Sequence, residues 1–126
     1  MSVKSTTQSI TIDLPYPPSV NRYWRNVNGR MVLSREGRRY RQAVWDLLFV
    51  KRYLFGLGRF SGPVSVSLRI HPPDQRKRDL DNVLKAIFDA LQGGGIIQDD
   101  VQIREVHAAF AEPVENGKVI VEVSQR

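Results

Sequence analysis

The sequence predicts an α+β fold. One domain over residues 1–126 is expected, with elements in the order β-α-β-α-β-β and a mixed sheet carrying two helices on one face. Three observations predict it. Residues 64–71 alternate apolar and polar side chains, the period of a strand. Two longer segments, one on each side, repeat apolar residues at three- and four-residue spacing, the period of a helix. No repeat, low-complexity tract or linker divides the chain, and 126 residues suit one modest core.

The elements follow in order. Ile10, Ile12 and Leu14 alternate with polar neighbours and predict a half-buried first strand. Pro15, Pro17 and Pro18 then oppose regular pairing, and Asn28-Gly29 marks a turn, so residues 15–30 read as a long basic loop. Long loops in compact domains are often functional. Ser34 is placed to cap a helix from Arg35 to Phe55, with Tyr40, Val44, Leu47, Leu48 and Leu54 as its apolar stripe. In the second strand Val64, Val66, Leu68 and Ile70 face one way, and Ser65, Ser67, Arg69 and His71 the other. Pro72-Pro73 stops it. Leu80, Val83, Leu84, Ile87, Phe88 and Leu91 predict the second helix, which Gly93 to Gly95 terminate. Residues 96–100 form a short return, and residues 101–111 read as a strand whose alternation slips midway. Asn116-Gly117 predicts a hairpin turn into a last strand beginning at Lys118.

Charge points to a partner. Lys+Arg number 19 against 13 Asp+Glu, a net +6, with a pI near 10.1. A surplus of this size suggests a polyanion, most often nucleic acid. Seven arginines lie between Arg22 and Arg41, opposed by Glu36 alone and interleaved with Tyr23, Trp24 and Tyr40. Guanidinium forks suit phosphate oxygens, and aromatic faces suit exposed bases. The absence of cysteine excludes disulfides, a thiol nucleophile and cysteine metal sites. No apolar run is long enough to span a bilayer, and the first ten residues lack the apolar core of a secretory signal. A cytoplasmic protein is the expectation. His71 and His107 lack metal-ligand spacing and read as structural.

The acidic residues carry the chemistry. Asp79 has a structural reading as a helix cap, Asp81 as an i,i+4 partner of Lys85, and Asp99-Asp100 as a turn. Taken together, two aspartates at a helix start and one from beyond the glycines are expected to converge on a hard cation. Close carboxylates repel without one, and oxygen donors without cysteine favour Mg²⁺ or Mn²⁺ over zinc. An acidic metal pocket in a basic surface suits phosphodiester hydrolysis.

Arg78-Asp79-Leu80-Asp81-Asn82-x-x-Lys85 ahead of Asp99-Asp100, with the run from Pro17 to Arg25, resembles the RusA family of Holliday junction resolvases over nearly the whole chain. The resemblance implies a homodimeric endonuclease that cuts four-way junction DNA with Mg²⁺ in recombination and repair, in bacteria or their phages. It implies paired nicks that leave 5′-phosphate and 3′-hydroxyl ends. The family's metal-binding aspartates fall on Asp79, Asp81 and Asp100, and its catalytic lysine on Lys85. Its basic residue before the first aspartate falls on Arg78, and its asparagine on Asn82. Arg22, Arg25, Arg76, Lys77 and Arg78 are expected to grip phosphates. Two rivals are a non-catalytic nucleic-acid-binding accessory protein of phage origin and a phosphatase acting on small phosphate esters.

Overall fold

In the computed structural model residues 8–56 and 59–126 are described. The reading of the first ten residues as lacking a secretory core falls mostly outside them, as do Leu57 and Gly58 after the first long helix. The elements are β1 (Ser9–Leu14), α1 (Val20–Tyr23), β2 (Trp24–Val27), β3 (Arg30–Leu33), α2 (Arg35–Phe55), β4 (Val64–His71), α3 (Leu80–Gly93), a 3₁₀ turn (Asp100–Gln102), β5 (Ile103–Phe110) and β6 (Lys118–Gln125). The α+β class, the mixed sheet and both long helices stand as expected. The loop between β1 and α2 does not. It holds a one-turn helix and a two-stranded hairpin closed by Asn28 and Gly29, both at positive φ. Gly37 seats this insertion, because a Cβ there would strike the Tyr23 carbonyl.

The main sheet has the order β1-β6-β4-β5, antiparallel except for the β4–β5 pair, which is parallel. The predicted β5–β6 hairpin is therefore wrong. The Asn116-Gly117 turn forms with positive φ at both residues, but it sends the chain across the end of β4 to insert β6 between β4 and β1. Burial explains the choice. Val119, Val121 and Val123 are fully buried, which a central strand satisfies. Most of β5 is exposed and goes to the edge.

Alternate residues of the strands meet the helices in one core: Ile10, Ile12 and Leu14; Val64, Val66, Leu68 and Ile70; and Val83, Ile87 and Leu91 of α3. Ser34 caps α2 by accepting from the Gly37 amide at 2.9 Å. The α2 stripe is narrower than expected. Tyr40, Val44 and Leu48 are buried, while Leu47 and Leu54 are 42% and 66% exposed. The glycines after α3 do more than stop it. A side chain at Gly93 or Gly94 would collide with Trp45 or Leu48, so they let α2 lie close against the end of α3.

Candidate active site

The site grows from the end of β4. Pro72 and Pro73 stop the strand, and the chain crosses to α3 through Asp74–Arg78. Asp74 organises this crossing. Its carboxylate accepts from the Arg76 amide at 3.0 Å and from the Arg76 guanidinium at 3.0 and 3.2 Å, and it pairs with Arg78 at 2.8 Å. Those bonds, Arg76 first, hold its pKa far below the usual carboxylate range. Arg78 also donates to the carbonyls of Asp74 and Arg76 and lies over the Tyr16 ring, 5.6 Å from its centroid. Across from this loop runs the second proline segment, Tyr16–Arg22. Together they wall a groove that takes in Arg22, Arg76, Lys77, Asp79, Asn82 and Phe110.

Asp79 stands at the N-cap of α3, with φ −86 and ψ 128. Its carboxylate makes no capping bond. Among the described residues it accepts only a long bond, from Asn82 Nδ2 at 3.4 Å. Asp81 lies in the first turn of α3, and Lys85 one turn further on, exposed. Among the described residues no ion pair joins Asp81 to Lys85, so the plain i,i+4 reading fails. The positive end of the helix dipole faces both carboxylates.

The second acidic pair is arranged differently. Asp99 caps the 3₁₀ turn: its carboxylate accepts from the Val101 amide at 3.0 Å, and Gln102 returns the bond by accepting from the Asp99 amide, also at 3.0 Å. Gln102 is anchored in turn by donating to the carbonyls of Phe60 and Gly62. The Asp100 amide donates to Gln92 Oε1 at 3.2 Å, while its carboxylate is exposed and, among the described residues, unpaired. Of the two, Asp99 is committed to the turn and Asp100 is free.

Against expectation, Asp79, Asp81 and Asp100 do not converge on one point among the described residues. Gln92, which holds Asp100, is at the far end of α3 from Asp79, roughly 20 Å away along the axis. No group of three acidic or histidine side chains among the described residues is close enough to share a cation. The donor chemistry at the start of α3 fits a hard divalent ion, because Asp79 and Asp81 offer exposed carboxylate oxygens that form no ion pair among the described residues. Among the described residues no third acidic donor joins them there.

The basic residues divide. Arg25 and Lys77 are exposed, and Arg22 is exposed beside Glu36 at 3.1 Å. Arg76 is exposed but tied to Asp74, and the Arg78 side chain is only 19% exposed. Arg41 is structural, with a bidentate pair to Asp89, which also accepts from the Tyr23 hydroxyl. Tyr23 and Tyr40 are core residues and offer no face to a base. His71 is buried and donates from Nδ1 to the Glu112 carbonyl, as its structural reading expects. Sequence reasoning missed Asp74 and Tyr16. The spacing of Asp74 to Arg76 and Arg78 was the available signal for the first; nothing local marked Tyr16.

No helix among the described residues is long and apolar enough to cross a membrane. Comparison with known proteins adds the family. A model described as "Endodeoxyribonuclease RusA" matches residues 15–124. The crossover junction endodeoxyribonuclease RusA of Escherichia coli (strain K12) is 38% identical over 119 residues, covering 94% of this chain and 95% of that one. The protein of the same name in Shigella sonnei (strain Ss046) has the same identity and coverage. The one from Enterobacteria phage 82 is 37% identical over 114 residues, covering 90% and 92%.

Proposed function

The chain belongs to the RusA family of endodeoxyribonucleases, and from that premise we propose that it resolves Holliday junctions in DNA recombination and repair, as a Mg²⁺-dependent homodimer making paired nicks. The observation that carries the chemistry is the free carboxylate of Asp79. An aspartate at a helix N-cap normally bonds the amides of the first turn. This one does not, and it lies in a groove with Arg22, Arg76 and Lys77.

Asp79 and Asp81 would hold the ion, with Mn²⁺ as a substitute, and Asp100 of the partner subunit would supply the third carboxylate. The separation across α3 supports this sharing, since each chain carries both halves of the set at opposite ends. When bound, the ion activates water and stabilises charge on the scissile phosphate. Asn82 orients the Asp79 carboxylate. Lys85, which forms no ion pair among the described residues, neutralises charge developing on the phosphate oxygens. Lys77, Arg76, Arg22 and Arg25 hold the strand, so binding weakens steeply with salt. Arg78, clasped by Asp74 and Tyr16, shapes the loop more than it grips DNA. Junction shape and flexibility dominate selection over base contacts.

A labelled four-way junction and a matched duplex, each with and without Mg²⁺ on a denaturing gel, test the reading. Nicks confined to the junction with Mg²⁺ support it. Binding without cleavage would favour an accessory protein, and hydrolysis of small phosphate esters a phosphatase. Asp79→Asn and Asp100→Asn chains are each expected to bind the junction without cutting it. Mixed, they should regain cleavage, because one of the two sites then has every carboxylate. No recovery in verified mixed dimers would place the whole site within one chain.

A further inference from the structure

The groove holds one carboxylate that the proposed cleavage does not use. We infer that Asp74 is a positioning residue for the DNA strand: it presents Arg76 to a phosphate in one orientation, ties the two groove walls together through Arg78, and offsets part of the groove's positive charge. This inference rests on the nuclease reading above and adds to it a residue that sets how the strand lies.

Both oxygens of Asp74 are engaged. Oδ1 accepts from the Arg76 amide at 3.0 Å and pairs with Arg78 Nη2 at 2.8 Å. Oδ2 accepts from Arg76 Nε at 3.2 Å and from Nη2 at 3.0 Å. The amide bond by itself is an Asx turn, an ordinary way to leave a strand. An asparagine would serve that turn equally well. The guanidinium contacts are different, because they take their strength from the charge.

Stability is not what the Arg76 pair supplies. An exposed ion pair contributes little to it, and the Arg76 side chain is 81% exposed. Orientation is the gain. A guanidinium carries its five N–H donors in one plane. Arg76 spends its Nε–Nη2 edge on Asp74, and among the described residues Nη1 has no acceptor. With one edge held, the other is fixed on the side away from Asp74. A phosphate that meets it finds the side chain already ordered.

Arg78 carries the same carboxylate's hold inward. Its side chain is 19% exposed, and Nη1 donates to the carbonyls of Asp74 and Arg76 at 3.1 and 3.0 Å. Its guanidinium lies over the ring of Tyr16, on the opposite wall. Tyr16 is seated by close packing at Gly117, where a Cβ would come within 2.9 Å of the Tyr16 Cβ. Asp74 thus fixes the spacing of the walls, and Arg78 directly precedes Asp79. Removing the carboxylate's charge has two effects of opposite sign. The groove, with Arg22 and Lys77 also on it, attracts any phosphate backbone more strongly. The strand is held less exactly over Asp79, so cleavage slows. A purely structural role would not tighten binding.

Asp74→Asn keeps the Asx turn and removes the charge; Asp74→Ala removes both. Fluorescence anisotropy with a labelled four-way junction and a matched duplex, over a salt series, reads the charge. Asp74→Asn should bind both DNAs about threefold more tightly or better at low salt. Its slope of log affinity against log salt should steepen by about one. Single-turnover cleavage of the junction at saturating protein should fall about tenfold. In an Arg76→Ala background most of the slope change should disappear, as a double-mutant cycle requires of coupled groups. Asp74→Glu keeps the charge and moves it, so it should show the wild-type slope and still cut slowly. This variant also decides the matter if Asp74→Asn does not fold. A wild-type slope and rate in Asp74→Asn, with losses confined to Asp74→Ala, would leave the turn alone and overturn the inference. Weaker binding by an Asp74→Asn chain of unchanged melting temperature, or a steepened slope in Asp74→Glu, overturns it too. A wild-type chain that binds the junction without cutting it discards the nuclease reading, and the slopes still decide Asp74.

Discussion

Asp79 and Asp99 occupy the same position, the residue before a helical turn, and use it in opposite ways. Asp99 accepts from Val101, is returned a bond by Gln102, and closes its turn. Asp79 leaves the first amides of α3 without its oxygens and turns them to the groove. Residue type and helix position are the same, so neither separates a structural acid from a functional one. The hydrogen-bond partners do. The same criterion distinguishes Asp99 from its neighbour Asp100, which sequence alone divides only by resemblance to a family motif.

The largest effect expected of this contrast is on cleavage. Asp100→Asn should lower the junction-cleavage rate about 10³-fold or more, near 4 kcal/mol of barrier, while Asp99→Asn should cut at close to the normal rate. Equal losses in single-turnover assays would dissolve the distinction. Lys85→Met comes next, with a loss of about 10²-fold in cleavage and little change in junction affinity; a loss confined to affinity would make Lys85 one more phosphate grip. Stability should answer in the reverse order. Asp99→Ala should cost about 1 kcal/mol as a lost cap, a melting-temperature drop of a few degrees by calorimetry, whereas Asp79→Ala should cost less because no cap is lost. The smallest effect is a titration. Arg76 and Arg78 depress the Asp74 pKa, so its contribution to loop order is in place above the ordinary carboxylate range. It is lost only as pH falls through the lowered folded-state value. A carboxyl NMR signal for Asp74 that moves with the other exposed aspartates would refute the clasp.

Local periodicity wrote α3, β1 and β4 plainly into the sequence, because each has one buried face and a clear period. It did not write the pairing of β5 and β6. Asn116-Gly117 carries the signature of a local hairpin, and the preference of three buried valines for a central position overrides it. The hairpin after α1 was hidden by prolines and arginines, although its Asn-Gly turn was visible. Leu47 and Leu54 matched a helical stripe but fall at its margin, beyond what α3 covers. The four motif residues, Asp79, Asp81, Lys85 and Asp100, were all named from the sequence. Their separation was also there to be read: a helix of 14 residues carries the chain away from its start, and residues 96–100 are too few to bring it back.

The position of β6 has a consequence for synthesis. Translation runs from the N-terminus, so β1, β4 and β5 leave the ribosome before the strand that joins β1 to β4 exists. Until Lys118–Gln125 emerge, β1 has no partner in the sheet and β4 has one open side. The sheet of the nascent polypeptide is completed only when β6 arrives between β1 and β4, and a stop codon ahead of residue 118 would leave those strands unjoined instead of yielding a trimmed nuclease.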